Sequence, residues 1–274
     1  MNKYLVIGNP IEHSLSPLIH NYWIKKNNIK AIYDKKKLNR DDLKNLIIKI
    51  REKNISGANV TVPFKKDIIP YLDKLTSDAE VTQSVNTILL TNDGKVVGHN
   101  TDIGGFENAI KGIKYLPFGK KVLILGSGGV APSIIFALYK MKVSSITLTN
   151  RTKTKAEYLQ NFFNDITVKN NGWNKIEVVD WGEVPEFDMI INATSLGLNN
   201  NDNLDLDFSK IGKNKFFYDV IYNPKETNFL KKGRDLGNKT ENGKNMFIFQ
   251  AAEAFKIWHD IKPEIDEKVR KLLD

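Results

Sequence analysis

The sequence predicts an α/β fold built on parallel sheet, and three observations carry that reading. Val122 to Leu125 is a short, wholly apolar run of the kind needed by a strand buried on both faces. Gly126, Gly128 and Gly129 break it, and a helical pattern then runs to about Met141 with Pro132 in its first turn. Ser145-Ile-Thr-Leu-Thr149 then reads as a second buried strand, which completes a βαβ unit of roughly 30 residues.

A turn with several glycines has few Cβ atoms to hold a ligand off, and it directs the free N–H groups of a helix N-terminus to one point. That suits a pyrophosphate. The spacing is G-x-G-G and not G-x-G-x-x-G, so a tight connection with no ligand stays open as the alternative. After the second strand, a site for NAD would place an acid near the ribose 2′-hydroxyl. Here the chain has Asn150-Arg151-Thr152-Lys153-Thr154-Lys155, whose cations attract a 2′-phosphate. The expected cofactor is therefore NADP(H), with a solvated basic loop opening the next helix as the other reading.

The chain has 274 residues, 41% of them hydrophobic, enough for one large or two ordinary domains. It has no cysteine, which removes disulfides, thiol nucleophiles and thiolate metal sites, and no metal is expected. The net charge is +9, but the lysines are spread along the chain among acids and asparagines. That pattern argues against nucleic acid and for a general field favouring small anions. No run approaches membrane-spanning length and Met1 to Gly8 is too short to be a signal peptide, so a cytoplasmic protein is expected.

In the first hundred residues, Tyr4 to Ile7 reads as a strand ended by Gly8-Asn9-Pro10. Ser16 then reads as the N-cap, and Pro17 as the first residue, of a helix to about Lys26; Ser14 has no such capping role. A helix follows from Asp41 to about Glu52, and then a strand from Gly57 to Val62 cut off by Pro63. Thr61 and Lys65 lie just beyond that strand, where open α/β sheets collect ligands, although a lone lysine is more often only solvated. A short helix over 76–81 precedes a hairpin of residues 85–90 and 95–98 around Asn92-Asp93-Gly94. Asp102 reads as the cap of a helix from Gly104 to about Lys111. Further on, residues 176–179, 189–192 and 216–220 continue the sheet, and 199–203 reads as a polar loop.

Taken together, these segments resemble the shikimate dehydrogenase family over nearly the whole chain. The family's opening G-x-P-x-x-H-S-x-S-P-x-x-H-N stands as Gly8, Pro10, His13, Ser14, Ser16, Pro17, His20 and Asn21. Its N-V-T-x-P-x-K is Asn59 to Lys65, its V-N-T is Val85 to Thr87, and its G-x-N-T-D-x-x-G-F is Gly98 to Phe106. Gly126 to Gly129, Asn150 to Thr152, Ile191 to Ser195 with Gly197, and Asp219 to Pro224 with Thr227 follow the pattern. So do Asn242-Gly243, Met246 and Gln250 to Phe255 with Trp258. Four positions depart from it: Gln83-Ser84 replace Gly-Ala, Ile103 replaces the glycine after Asp102, Pro132-Ser133 alter the helix start, and His259-Asp260 replace Thr-Gly.

The resemblance implies NADPH-dependent, reversible reduction of 3-dehydroshikimate to shikimate, in chorismate and aromatic amino-acid biosynthesis. It marks Lys65 and Asp102 as catalytic, and Ser14, Ser16, Thr61, Lys65, Asn86, Asp102, Tyr222 and Gln250 as substrate-binding. Cofactor contacts are implied for Gly126, Ser127, Gly128, Gly129, Asn150, Arg151, Thr152, Thr194, Val220 and Gly243. It also implies two domains: an N-terminal α/β substrate domain, residues 1–101 with 241–274, and a Rossmann-like NADP-binding domain, 102–240, with a cleft between them. A quinate/shikimate dehydrogenase of relaxed choice and a non-catalytic NADP-binding sensor are the other readings; the retained Lys65 and Asp102 speak against the sensor. Shikimate or 3-dehydroshikimate is the expected partner, with no nucleic acid and no membrane, and a homodimer is left open.

Overall fold

The computed structural model describes residues 1–169, 175–199, 202, 204 and 206–274, so most of the loop expected over 199–203 lies outside the described residues. It forms two compact units, Met1–Phe106 with Ile248–Asp274, and Glu107–Phe247. These breaks fall inside two helices, Asp102–Gly112 and Lys244–His259. An uninterrupted helix carries no turn chemistry at such a point, so neither position is marked in the sequence.

The first unit holds a six-stranded mixed sheet of β1 (Asn2–Gly8), β2 (Ala31–Lys37), β3 (Gly57–Val60), β4 (Lys74–Leu75), β5 (Thr87–Leu90) and β6 (Val96–His99). Their order is β2-β1-β3-β5-β6-β4. β1 pairs in parallel with β2 and β3, whereas β3, β5 and β6 pair antiparallel. Strand alternation sorts the residues onto two faces. On one, Leu5, Ile7, Ala58, Val60 and Ile88 pack on Leu43, Leu46, Ile47 and Ile50 of the helix Leu43–Arg51.

The other face carries Tyr4, Tyr33, Asn59 and Thr87, placed on two neighbouring rungs by the pairs Tyr4↔Tyr33 and Val6↔Asn59↔Thr87. Here the C-terminal segment joins the unit. Trp258 Nε1 donates to the Ile88 carbonyl (3.0 Å), and Trp23 Nε1 to the Glu264 carbonyl (2.9 Å).

β2 escaped the sequence reading because its second half is Asp34-Lys-Lys-Lys37, which has no apolar alternation. Its lysines are exposed on an edge strand, where charge discourages pairing with another chain. The helix Ser16–Lys26 also differs from expectation. Leu15 is its cap, and Ser16 lies inside the first turn without a capping bond. Ser14 instead takes the local role, its hydroxyl accepting the Ser16 N–H (3.3 Å). Gln83, where the family pattern has glycine, closes the helix Ser77–Thr82 in the left-handed region (φ 47°), held by a 2.7 Å bond from Nε2 to the Glu80 carbonyl.

The second unit is a parallel sheet of β7 (Lys121–Leu125), β8 (Ser145–Thr149), β9 (Ile176–Val179), β10 (Met189–Asn192), β11 (Phe216–Asp219) and β12 (Lys239–Glu241). Its order, β12-β11-β10-β7-β8-β9, runs outward in both directions from β7. Counted from β7 this is 3-2-1-4-5-6, the doubly wound dinucleotide-binding order. The strand order reverses beside the carboxyl end of β7, which is where ligands enter such sheets. The first five strands and the helix Ala131–Lys140 lie where the sequence placed them. β12 and the helix Asn228–Asp235 are too short and too polar to have shown.

Candidate active site

In the first unit, the turn after β3 and the start of the helix Asp102–Gly112 bring two charged side chains together under cover. Lys65 Nζ lies 2.5 Å from Asp102 Oδ2, with only 8% and 6% of the two residues exposed. The lysine's backbone is held by the Val85 N–H, which donates to its carbonyl (2.9 Å). The aspartate's backbone N–H donates to Asn100 Oδ1 (3.1 Å). The helix starts at Asp102 itself and not at Gly104 as expected, and the carboxylate faces Lys65 and Asn86 and is not spent on a cap. Asn86 Nδ2 donates to the second carboxylate oxygen (2.9 Å), while its Oδ1 accepts the Thr101 N–H (2.8 Å).

The network continues across the sheet. Asn59 Nδ2 donates to the Asn86 carbonyl (3.1 Å) and to Thr87 Oγ1 (3.0 Å), and the Tyr33 phenol donates to Asn59 Oδ1 (2.6 Å). One continuous hydrogen-bonded chain thus runs from Tyr33 to Lys65. Of the residues expected at a substrate site, Lys65, Asn86 and Asp102 are joined by it, while Ser14 and Ser16 are bonded to each other through the Ser16 N–H. Thr61, at the end of β3, is half-buried with its N–H on the Ile7 carbonyl (2.9 Å). Gln250 is half-buried on the helix Lys244–His259.

Tyr33 and Asn100 were absent from the expected site. Tyr33 carried no signal because its strand was unrecognised, whereas Asn59 and Thr87 stood inside motifs that could have nominated them. His20 is fully buried beside Tyr33, with neither ring nitrogen hydrogen-bonded. Burial, with a smaller contribution from His259, pushes its pKa down to about 3, so it stays neutral and serves as a flat wall.

In the second unit the glycine turn closes as the sequence requires. Gly126 has φ +100°, and a Cβ there would come within 2.6 Å of Thr194 Cγ2. A Cβ on Gly128 would meet nothing closer than the Ala193 carbonyl oxygen at 3.9 Å, so the turn is open at that point. The Ser127 hydroxyl is buried without a partner, and the Ser127 N–H donates to Asn150 Oδ1 (3.1 Å). Asn150 Nδ2 donates to the Thr152 carbonyl (2.8 Å), which ties the turn to the basic loop. Arg151 and Lys155 are exposed, but Lys153 is engaged 2.6 Å from Asp180. An open glycine turn, an unsatisfied hydroxyl and two exposed cations are the donor set that a phosphorylated dinucleotide needs.

Two family models match the chain, a shikimate dehydrogenase substrate binding domain over residues 6–88 and a shikimate/quinate 5-dehydrogenase over 114–221. The NADP(+) shikimate dehydrogenase of Pelagibacter ubique is 52% identical over 271 residues, covering 99% of this chain and 98% of that protein. The chain belongs to the shikimate dehydrogenase family. Among solved structures, shikimate dehydrogenase from Aquifex aeolicus is 35% identical, with a TM-score of 0.88 over 100% of this chain and 97% of that one. The Thermus thermophilus enzyme, solved in complex with NADP(H) and shikimate, is 27% identical, with a TM-score of 0.86 over 99% of this chain and 100% of that one. Among the described residues, no helix is long and apolar enough to cross a membrane.

The carboxyl ends of β10 and β11 explain several of the family's second-half motifs. Asn192 Oδ1 accepts both the N–H (3.1 Å) and the hydroxyl (2.7 Å) of Thr194, which shapes the loop that leaves β10. Asp219 is wholly buried and accepts from Asn192 Nδ2 (3.1 Å), the Ile221 N–H (3.0 Å) and the Thr227 hydroxyl (2.6 Å). The Val220 N–H donates to the Asn192 carbonyl (3.0 Å), and Tyr222 stacks on Phe247 at 4.4 Å. Gly243 closes the cluster, its N–H donating to the Ile221 carbonyl (3.0 Å).

The donors around Asp219 are all uncharged. Burial therefore outweighs them and pushes its pKa up to about 6. A carboxyl whose folded pKa lies above its unfolded value of about 3.9 binds its proton more tightly in the native state. Stability from this group is present at low pH, is lost as pH rises from about 4 to 6, and is level above that. Wild type should therefore lose on the order of 3 kcal/mol relative to Asp219→Asn across that window. Urea unfolding of both proteins at pH 4, 5, 6 and 7 checks this, and parallel stability curves would exclude it.

Proposed function

We infer that the chain catalyses the reversible, NADPH-dependent reduction of 3-dehydroshikimate to shikimate, with Lys65 and Asp102 as the catalytic pair. The observation that carries the reading is the covered 2.5 Å ion pair at the end of the hydrogen-bonded chain from Tyr33. An ammonium held this way is preorganised for negative charge developing on a carbonyl oxygen.

The nicotinamide supplies the hydride when NADPH is bound. The chain's own residues manage the proton and the geometry. As the ketone carbon is reduced, its oxygen takes a proton from Lys65 Nζ, and the lysine is reprotonated from solvent before the next cycle. Asp102 Oδ2 orients the ammonium, and Asn86 fixes Oδ1 so that the carboxylate cannot rotate away. In shikimate oxidation the same lysine, starting neutral, receives the hydroxyl proton. Ser14, Ser16, Thr61, Asn86, Tyr222 and Gln250 are the proposed contacts to the substrate's carboxylate and hydroxyls. The turn Gly126 to Gly129 and the Ser127 hydroxyl would hold the pyrophosphate. Arg151 and Lys155 would hold the 2′-phosphate, with Asn150, Thr152, Thr194, Val220 and Gly243 shaping the rest of the cofactor site. The enzyme would act on free metabolites in the cytoplasm, as a monomer or homodimer.

The test is NADP reduction by the purified protein with shikimate, run beside quinate and beside NAD at matched concentrations. A strong preference for shikimate with NADP is expected. Comparable rates with quinate or NAD would replace this reading by a relaxed quinate/shikimate dehydrogenase. NADP binding with no turnover of any pair would replace it by a cofactor-binding sensor.

A further inference from the structure

We propose that Asp219 is a positioning residue for NADP(H) binding: through the Asn192 amide it fixes the Thr194 turn, against which the glycine turn rests. The inference rests on the cofactor role given above to Gly126 to Gly129. Asn192 and Asp219 are both fully buried, and they stand side by side as the last residues of β10 and β11. No step of the proposed reaction uses either. On its other side Asn192 pairs with Leu125, which is followed directly by Gly126. From there the approach to the glycine turn is close. The Ala193 N–H donates to the Leu125 carbonyl (2.8 Å), and a Cβ on Gly126 would stand 2.6 Å from Thr194 Cγ2 and 3.2 Å from the Ala193 carbonyl oxygen.

Proton accounting gives the carboxyl its task. Asn192 Nδ2 has two protons and both are committed, to Asp219 Oδ1 (3.1 Å) and to the Leu196 carbonyl (3.0 Å). Its Oδ1 is thereby turned to Thr194, whose N–H (3.1 Å) and hydroxyl (2.7 Å) it accepts. A reversed amide would set its oxygen against the Asp219 carboxylate and the Leu196 carbonyl, and its N–H groups against the Thr194 N–H. The orientation therefore has one solution. The Thr194 hydroxyl also accepts the Leu196 N–H (3.0 Å), so it is spent inside its own turn, and its methyl group is what backs Gly126. Removing the Asp219 acceptor leaves one buried Asn192 N–H unpaired, which frees the amide to turn and loosens Thr194. A loosened support has to be ordered again when the pyrophosphate binds, and that cost falls on cofactor affinity.

Titration calorimetry with NADP at neutral pH reads the effect without turnover. Asp219→Ala should raise the Kd for NADP about tenfold per folded molecule, with the KM for shikimate within about twofold of wild type. Asp219→Asn keeps a carbonyl oxygen for Asn192 and the Ile221 N–H, and its Kd should stay within about threefold of wild type. A merely structural role would lower the folded fraction of Asp219→Ala and leave the Kd of the folded molecules unchanged. Thr194→Val is the second arm. It removes the hydroxyl that Asn192 holds and should raise the Kd by about threefold or more, and the double variant with Asp219→Ala should fall short of the product of the two single effects. An unchanged Kd in Asp219→Ala, equal weakening by Asp219→Asn, or multiplicative effects in the double variant overturns the proposal. If Asp219→Ala does not fold, a wild-type Kd in Thr194→Val overturns it alone. Failure of wild type to bind NADP would instead overturn the functional reading on which it rests.

Discussion

Lys65→Ala should lower kcat for shikimate oxidation by roughly 100-fold or more, while the KM for shikimate changes far less. The expectation follows from where the ammonium sits. Lys65 is covered and 2.5 Å from a carboxylate that Asn86 also holds, so its position is set before substrate binds. Binding has many other contributors in the proposed site, from Ser14 and Ser16 to Gln250, and these survive the change. Stabilisation of charge on the reacting oxygen has no second cation in that network.

Removing one member of a buried pair also leaves an uncompensated charge, which costs stability. Thermal unfolding of the variant therefore belongs beside the kinetics, and kcat is taken per folded molecule. Asp102→Asn completes the argument. It should also lower kcat, and the double variant should be little worse than the poorer single one, because the two side chains act as a unit. Turnover of Lys65→Ala equal to wild type would remove the lysine from the mechanism.

Gly243→Ala is expected to destabilise the Glu107–Phe247 unit by about 3 kcal/mol or more. The constraint is steric. A Cβ on residue 243 would overlap the Val220 carbonyl oxygen and carbon and lie 3.1 Å from Val220 Cα. All three are backbone atoms, so no side chain can turn aside to make room. The Val220 carbonyl is anchored from both sides, because the Val220 N–H bonds the Asn192 carbonyl and the Gly243 N–H bonds the Ile221 carbonyl. Relief must come from separating the segment after β12 from the exit of β11. Urea unfolding measures the loss directly, and NADP titration should show weakened binding in the protein that remains folded. A midpoint equal to wild type would mean that the two backbone segments can part at little cost.

The most legible parts of this chain were those whose chemistry is local. The run Val122–Leu125 with its glycine turn, the second strand at Ser145, and the hairpin around Asn92-Asp93-Gly94 each announce themselves through periodicity or obligatory turn residues. Family motifs nominated Lys65, Asp102 and Asn86 as well, although spacing alone left Lys65 a solvated lysine and Asp102 a helix cap. Ser16 shows the limit of local rules. Its place before Pro17 suits an N-cap, yet it lies inside the first turn, and its N–H donates to the Ser14 hydroxyl.

What the sequence by itself determined was therefore the fold class, the positions of most strands along the chain, the glycine turn that suits a dinucleotide, and the residues shared with the shikimate dehydrogenases. These follow from burial pattern, turn stereochemistry and motif, all of which act over a few neighbouring residues. Only the tertiary structure decided that Lys65 and Asp102 touch, and that β2, a lysine-rich edge strand, brings Tyr33 into register beside Tyr4 with its phenol on Asn59. It also decided that Val220 and Gly243 approach too closely for any side chain. Those contacts join residues 37, 26 and 23 positions apart. They are set by sheet register and backbone approach, which no local run of residues encodes.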